Sequence, residues 1–207
     1  MSLQVRPADR IKLFVIEWLI KRYPGVIIGS EVMYGTSRRM VDLLALYEGC
    51  TYAIEIKSER DSTRRLSSQL SEYALIFDYT IVFAHSKHVS KVISLSRSKV
   101  AVFEVLDDSI VQKTPLKKNR PVKREMAYSI STSFLKKYVP MSKNRCTAID
   151  VRTRILREYT REAIHQMLYT FLKGRLTDRF NLYMKERGEN SYDDLSLLSA
   201  QLKIGPS

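Results

Sequence analysis

Residues 39–58 read Arg-Met-Val-Asp-Leu-Leu-Ala-Leu-Tyr-Glu-Gly-Cys-Thr-Tyr-Ala-Ile-Glu-Ile-Lys-Ser, and this stretch constrains the fold more than any other. Met40 to Tyr47 is rich in Val, Leu and Ala and reads as one strand. Tyr52 to Lys57 reads as another, and Glu48-Gly49 between them has the composition of a tight hairpin turn. Side chains alternate across a strand, so Glu55 and Lys57 share one face while Ile54 and Ile56 point to the other. Strands inside an α/β domain are normally apolar on both faces. This one ends in a carboxylate and an amine, and antiparallel pairing can bring Asp42 of the neighbouring strand close to Glu55.

The flanking sequence supplies the other layers. Ile11, Phe14, Val15, Trp18 and Leu19 recur at helical spacing over residues 9–23, with Asp9 as the expected N-cap and Pro24-Gly25 as the stop. Residues 26–31 read as a short strand, and Gly35 to Ser37 as a turn. A second helix is expected from about Asp61-Ser62 to Phe77, with Leu66, Leu70, Tyr73 and Phe77 on one face. A strand over 78–83, a short helix over 88–96 and a strand over 100–105 follow. An antiparallel meander that continues through helical crossovers gives an α/β sandwich, a central mixed sheet flanked by helices.

Three regions are expected. Residues 1–108 form the core. Residues 109–146 form a basic linker, crowded with Lys113, Lys117, Lys118, Arg120, Lys123 and Arg124 and broken by Pro115 and Pro121. Residues 147–207 form a helical C-terminal appendage and tail. Its apolar stripe includes Ile155, Leu156, Tyr159, Ala163, Met167, Leu168, Phe171 and Leu172, and Gly174 is expected to divide it into two helices.

Charge narrows the partners. With 35 Lys and Arg against 22 Asp and Glu, the chain carries a net charge of +13, which favours polyanions and nucleic acid first. Cys50 and Cys146 have no metal-ligand spacing and imply no disulfide framework, so a reducing compartment fits. Arg10, Lys12 and Glu17 interrupt any apolar run at the N-terminus, and no stretch approaches ~18 consecutive apolar residues. The expected location is the cytoplasm, with no membrane contact. His85, His88 and His165 lack a metal spacing. There is no nucleophile elbow and no Gly-rich phosphate loop, so no nucleotide cofactor is expected.

Two carboxylates brought together repel each other unless a cation joins them. Mg²⁺ takes oxygen ligands and keeps several waters, so Asp42, Glu55 and a backbone carbonyl suffice. Such a metal polarises a phosphoryl oxygen and lowers the pKa of a bound water. Lys57 can hold that water or stabilise charge on the phosphate. Arg38 and Arg39 precede the Asp42 strand, and Arg60, Arg64 and Arg65 follow the Glu55 strand, which flanks the site with phosphate donors. Gln69 and Tyr73 lie four residues apart on one helix face. The Gln can bond substrate or Lys57, and the Tyr can stack or bond a phosphate.

Asp42, Glu55-Ile56-Lys57 and Gln69-x-x-x-Tyr73, on a helix–three strands–helix–strand scaffold, resemble the PD-(D/E)XK nuclease superfamily. The Gln-x-x-x-Tyr element is similar to that of its RecB-like branch, and the run from Glu55 to Leu66 looks closest to small, mostly uncharacterised bacterial members. The resemblance covers about residues 9–106 and implies a restriction-endonuclease-like fold. It implies that Asp42, Glu55 and the Ile56 carbonyl hold Mg²⁺, with Mn²⁺ as a substitute, and that Lys57 is the catalytic lysine. Glu31 matches the additional acid that many members place near the metal, with Glu17 as its rival. Val41 stands where the family name has Pro, a position that ligates nothing. The expected activity is metal-dependent hydrolysis of phosphodiester bonds in DNA, and a homodimer fits the cutting of two strands. The alternatives are a non-cleaving nucleic-acid-binding module on the same fold, or an interaction protein of a defence or mobile-element system.

Overall fold

The computed structural model describes residues 6–96, 99–139, 147–188 and 191–199; Cys146 and the last tail residues lie outside them. Helix α1 (Pro7–Arg22) leads into strands β1 (Ile27–Tyr34), β2 (Arg39–Tyr47) and β3 (Cys50–Lys57). Then come α2 (Leu66–Ile76), β4 (Tyr79–His85), α3 (Ser86–Leu95), β5 (Val100–Val105) and β6 (Ile110–Gln112). Helices α4 (Lys123–Ser129), α5 (Thr132–Leu135), α6 (Ala148–Glu158), α7 (Arg161–Glu186) and α8 (Ser191–Asp194) complete the chain, with short 3-10 turns at Lys136–Tyr138 and Leu195–Leu198. The six strands lie in sequence order in one sheet, with β3–β4 and β4–β5 parallel and the other pairs antiparallel. This is an α/β fold with a mixed sheet and a C-terminal helix. The expected meander and crossovers are both present.

Local chemistry sets several of these elements. Glu48 and Gly49 have φ of 47° and 75° between the paired residues Tyr47 and Cys50. A two-residue hairpin turn with both central φ positive matches the right-handed twist of the strands. Helix α1 starts at Pro7 with Arg6 as its N-cap, so Asp9 sits in the first turn, bonded to Arg6, rather than at the cap. Helix α2 starts at Leu66, later than Asp61-Ser62 suggests. The Asp61 carboxylate instead accepts from Ser58 N–H and Oγ, closing a turn directly after Lys57. His85 caps α3 by accepting from Lys87 N–H.

The two faces of the sheet bury separate cores. On one, Leu44, Leu46, Ala53, Val82, Ala84 and Val102 pack against α2, α3, α4, α6 and the first half of α7. On the other, Ile28, Leu43, Ala45, Ile54, Ile56, Phe83 and Phe103 pack against α1 and the end of α7. Helix α7 therefore crosses from one face to the other at the β1 edge. Leu172 and Leu176 lie in the first core, Phe180 and Tyr183 in the second. The helix touches β1 so closely that a Cβ at Gly29 would lie 2.5 Å from Leu176 Cδ2. Covering an edge strand removes a row of open hydrogen-bonding groups.

Two further expectations change here. Helix α7 runs unbroken through Gly174, because a single glycine costs a helix only about 1 kcal/mol and the packing of its 26 residues exceeds that. The 109–146 stretch holds β6, α4 and α5. Its Asn119 is buried and donates to Phe77 O and Thr80 Oγ1, while Met126 and Ala127 of α4 enter the α2-side core. The sparse apolar residues among its lysines and arginines carry that packing.

The β1–β2 hairpin does not alternate regularly. The ladder pairs Ser30 with Leu43 and Val32 with Val41, and omits the Glu31–Asp42 pair between them. Glu31 has φ of 52°, an unusual value for a residue with a side chain. Ile28 belongs to the α1-side core, but Val32 and Tyr34 belong to the α2-side core. Leu43 and Val41 divide in the same way. Both strands thus exchange faces at one step without changing register.

Candidate active site

The α2 face of β3 carries Glu55 and Lys57, as alternation requires, while Ile54 and Ile56 are buried on the other. Helix α2 lies over that face and aims two side chains at Glu55. Tyr73 Oη donates to Glu55 Oε2 at 2.6 Å and Gln69 Nε2 donates to Oε1 at 2.9 Å. Lys57 Nζ donates to the same Oε1 at 2.8 Å. Glu55 is 2% exposed, so all this takes place in low dielectric, where a carboxylate needs such compensation.

Asp42 enters from β2. The β2–β3 ladder stops at Leu43–Ile54, and one residue further along Asp42 Oδ2 accepts from Ile56 N–H at 2.9 Å. The side chain replaces the backbone partner that the exchange of faces removed. Burial first, and then the Glu55 charge, push the Asp42 carboxyl up to about 6; the Ile56 N–H, Lys57 and Lys12 act the other way. Burial and the same Glu55 charge push the Tyr73 phenol far upward, so it stays a proton donor. In a strand the N–H and C=O of one residue point to the same side. The Ile56 carbonyl therefore points to the β2 side, where Asp42 meets the Ile56 N–H.

The structure assembles Asp42, Glu55, Ile56, Lys57, Gln69 and Tyr73. Gln69 holds Glu55, an acceptor, and not the Lys57 ammonium. Tyr73 is fully buried beneath Tyr34 and Phe77, so it supports Glu55 and meets no nucleic acid, contrary to the expected stacking role. Glu31 does not complete an acidic cluster: its Oε2 accepts from Ser199 Oγ at 3.0 Å, and its positive φ redirects the chain at that point. Among the described residues no three His, Cys, Asp or Glu side chains come together as a metal group. Glu17 is elsewhere, accepting from Tyr183 and Arg187 of the α7 end. Arg38, Arg60, Arg64 and Arg65 are exposed, and Arg39 pairs with Glu72 at 2.9 Å.

Lys12 was not anticipated. Its Nζ donates to Ser30 Oγ at 3.3 Å, and its charge favours ionised Asp42. A lysine one residue after Ile11, in the run that builds the α1 apolar stripe, is the only signal the sequence offered for it.

The donor set suits a hard divalent cation: two carboxylates and a carbonyl, all oxygen, with a carboxylate pair whose repulsion is only partly offset. Glu55 has donors on both oxygens, whereas among the described residues Asp42 takes its hydrogen bond on Oδ2 alone. Asp42 Oδ1 is the readier ligand.

The fold and the site define an α/β protein with a buried acid–lysine cluster at one strand end. The profile of the family described as Bacteriophage P4 protein cII matches residues 1–199, and the chain belongs to that family. Protein cII of Enterobacteria phage P4 is 34% identical over 99 residues, which cover 46% of this chain and 37% of the phage protein. The chain thus matches well under half the length of that relative. Among solved structures, a protein of unknown function from Silicibacter pomeroyi superposes with a TM-score of 0.46 at 12% identity, over 90% of this chain and 99% of that one.

Proposed function

We propose that the chain is a metal-dependent nuclease of the PD-(D/E)XK type that hydrolyses phosphodiester bonds in DNA. The observation that carries this reading is the convergence of Asp42, Glu55 and Lys57 at the end of β3, with Gln69 and Tyr73 fixing Glu55 from α2. Asp42, Glu55 and the Ile56 carbonyl would hold Mg²⁺ or Mn²⁺, which when bound supplies Lewis-acid activation of the phosphoryl oxygen and of water.

The chain's own groups do the rest. Tyr73 and Gln69 immobilise Glu55, so its orientation needs no rearrangement when substrate arrives. Lys57, 11% exposed at its side chain, is held in place by Glu55 and stabilises negative charge developing on the phosphate. The exposed Arg60, Arg64 and Arg65 after β3 and Arg38 before β2 bind backbone phosphates with little base selectivity. A net charge of +13 draws the polyanion in.

Cleavage of labelled duplex, single-stranded and branched DNA in Mg²⁺ or Mn²⁺ tests this reading. The wild type is expected to cut at least one substrate, chelator to stop it, and Asp42→Asn, Glu55→Gln and Lys57→Ala each to slow it by about 10³-fold. Undiminished cutting by the Glu55→Gln protein, or in chelator, would overturn the mechanism. DNA binding without cutting on all three substrates would instead favour a binding module.

A further inference from the structure

The exchange of faces at Glu31 and Asp42 has a second result. Regular alternation would place Met33 and Met40 on the α2 side and Val32, Tyr34 and Val41 on the α1 side. The break reverses this. Val32, Tyr34 and Val41 are buried under α2, while Met33 and Met40, paired across the hairpin, are 40% and 43% exposed. Met40 lies two residues before Asp42 on the same strand.

This half of the hairpin is held firmly from behind. Gly35 N–H donates to Ser129 Oγ at 3.0 Å, Ser37 Oγ to Glu72 at 3.0 Å, and Arg39 pairs with the same Glu72. Arg38, exposed at the turn with φ of 52°, forms no ion pair among the described residues. The result is an outward-facing thioether pair with a cation at its tip, two residues along β2 from Asp42 and on the sheet face opposite Glu55 and Lys57. Unusual backbone conformations of this kind persist where surrounding contacts impose them, and they concentrate at binding sites.

We propose that Met33 and Met40 bind an unstacked nucleotide at a boundary between single-stranded and duplex DNA, with Arg38 on the adjoining phosphate. The proposal rests on the nucleic-acid reading above and names its substrate class. Proteins that read DNA with Arg and Lys also insert apolar side chains, Met among them, between base steps and partly unstack them. Two half-exposed methionines offer on the order of 200 Å² on one side, well below the roughly 800 Å² per partner of a stable protein interface. The area suits one base. A strand that is already unpaired spares the unstacking cost that a continuous duplex imposes.

The test is binding of the full chain, in chelator so that nothing is cut, to duplex, single-stranded and forked DNA with 2-aminopurine at the fork. The fork is expected to bind about tenfold tighter than the duplex, with a change in 2-aminopurine fluorescence. The Met33→Ser/Met40→Ser protein is expected to lose the preference and the fluorescence change, and Arg38→Ala to weaken all three substrates alike. Equal affinity for fork and duplex overturns the proposal, as does a double variant that keeps the preference. So does a wild-type dimer that the double variant converts to monomer, since that assigns the pair to an interface between copies. A fork preference without any cleavage in Mg²⁺ supports this site and sinks only the nuclease reading.

Discussion

Two buried carboxylate networks lie at opposite ends of β3, and they are built in opposite senses. At the Cys50 end, Asp78 accepts from Thr51 N–H and Thr51 Oγ1, both at 2.9 Å, and from His165 Nε2 at 2.7 Å. Burial pushes its carboxyl up, but the His165 and Thr51 hydrogen bonds and the His165 charge more than offset this and hold it below the usual range. At the Lys57 end, Asp42 has one backbone donor and a carboxylate neighbour, and its carboxyl rises to about 6. The first network joins α7 to the sheet across 87 residues and gives Asp78 Oδ2 three hydrogen bonds, with Lys118 3.7 Å from Oδ1. The second leaves like charges together, an arrangement that functional sites use to perturb a carboxyl.

The largest contrast is functional. Asp42→Asn is expected to lower cleavage by about 10³-fold, whereas Asp78→Asn should leave the rate within about threefold at low temperature; both are read from the same DNA assay. Stability should reverse the order. Asp78→Asn breaks a buried charged network and is expected to cost about 3 kcal/mol, or roughly 6–12 °C in Tm for a chain of this size, seen by thermal denaturation. An Asp78 variant as stable as the wild type would make the two ends equivalent and remove the contrast.

pH separates them more finely. A carboxyl raised in the folded state binds its proton there more tightly than in the unfolded chain. Stability therefore falls as pH rises from about 4 to about 6 through Asp42, by about 3 kcal/mol. Asp78 works the other way: its contribution is present above the ordinary carboxyl range and is lost as pH falls through its lowered value. Urea melts at pH 4.5 and 7 should show the decline in the wild type and its loss in Asp42→Asn. The smallest effect is expected from Tyr73→Phe, which removes one hydrogen bond to Glu55 at a cost of about 1.5 kcal/mol in Tm measurements.

Much of the site could be read from the chain because its rules are local. Alternation put Glu55 and Lys57 on one face, the Glu48-Gly49 turn set Asp42 across from Glu55, and four-residue helical spacing paired Gln69 with Tyr73. What escaped depends on distance or on backbone. Nothing local announces that Glu31 takes a positive φ, so neither the outward methionines nor the diversion of Glu31 to Ser199 could be foreseen. The Asp78–His165 contact joins residues far apart in sequence, and Tyr73 becomes buried only when Tyr34 closes over it. Gly174 misled because glycine weakens a helix without ending one that is packed along its length.

The proposed cation site rests on Asp42 and Glu55 lying together as a buried carboxylate pair. Thermal denaturation of the wild type and Asp42→Asn at pH 7.5, with and without Mg²⁺, tests it most directly. The expected result is that Asp42→Asn melts higher than the wild type without metal, because one of two repelling charges is gone, and that Mg²⁺ stabilises only the wild type. A variant that melts lower without metal, or that gains as much from Mg²⁺ as the wild type, would contradict it.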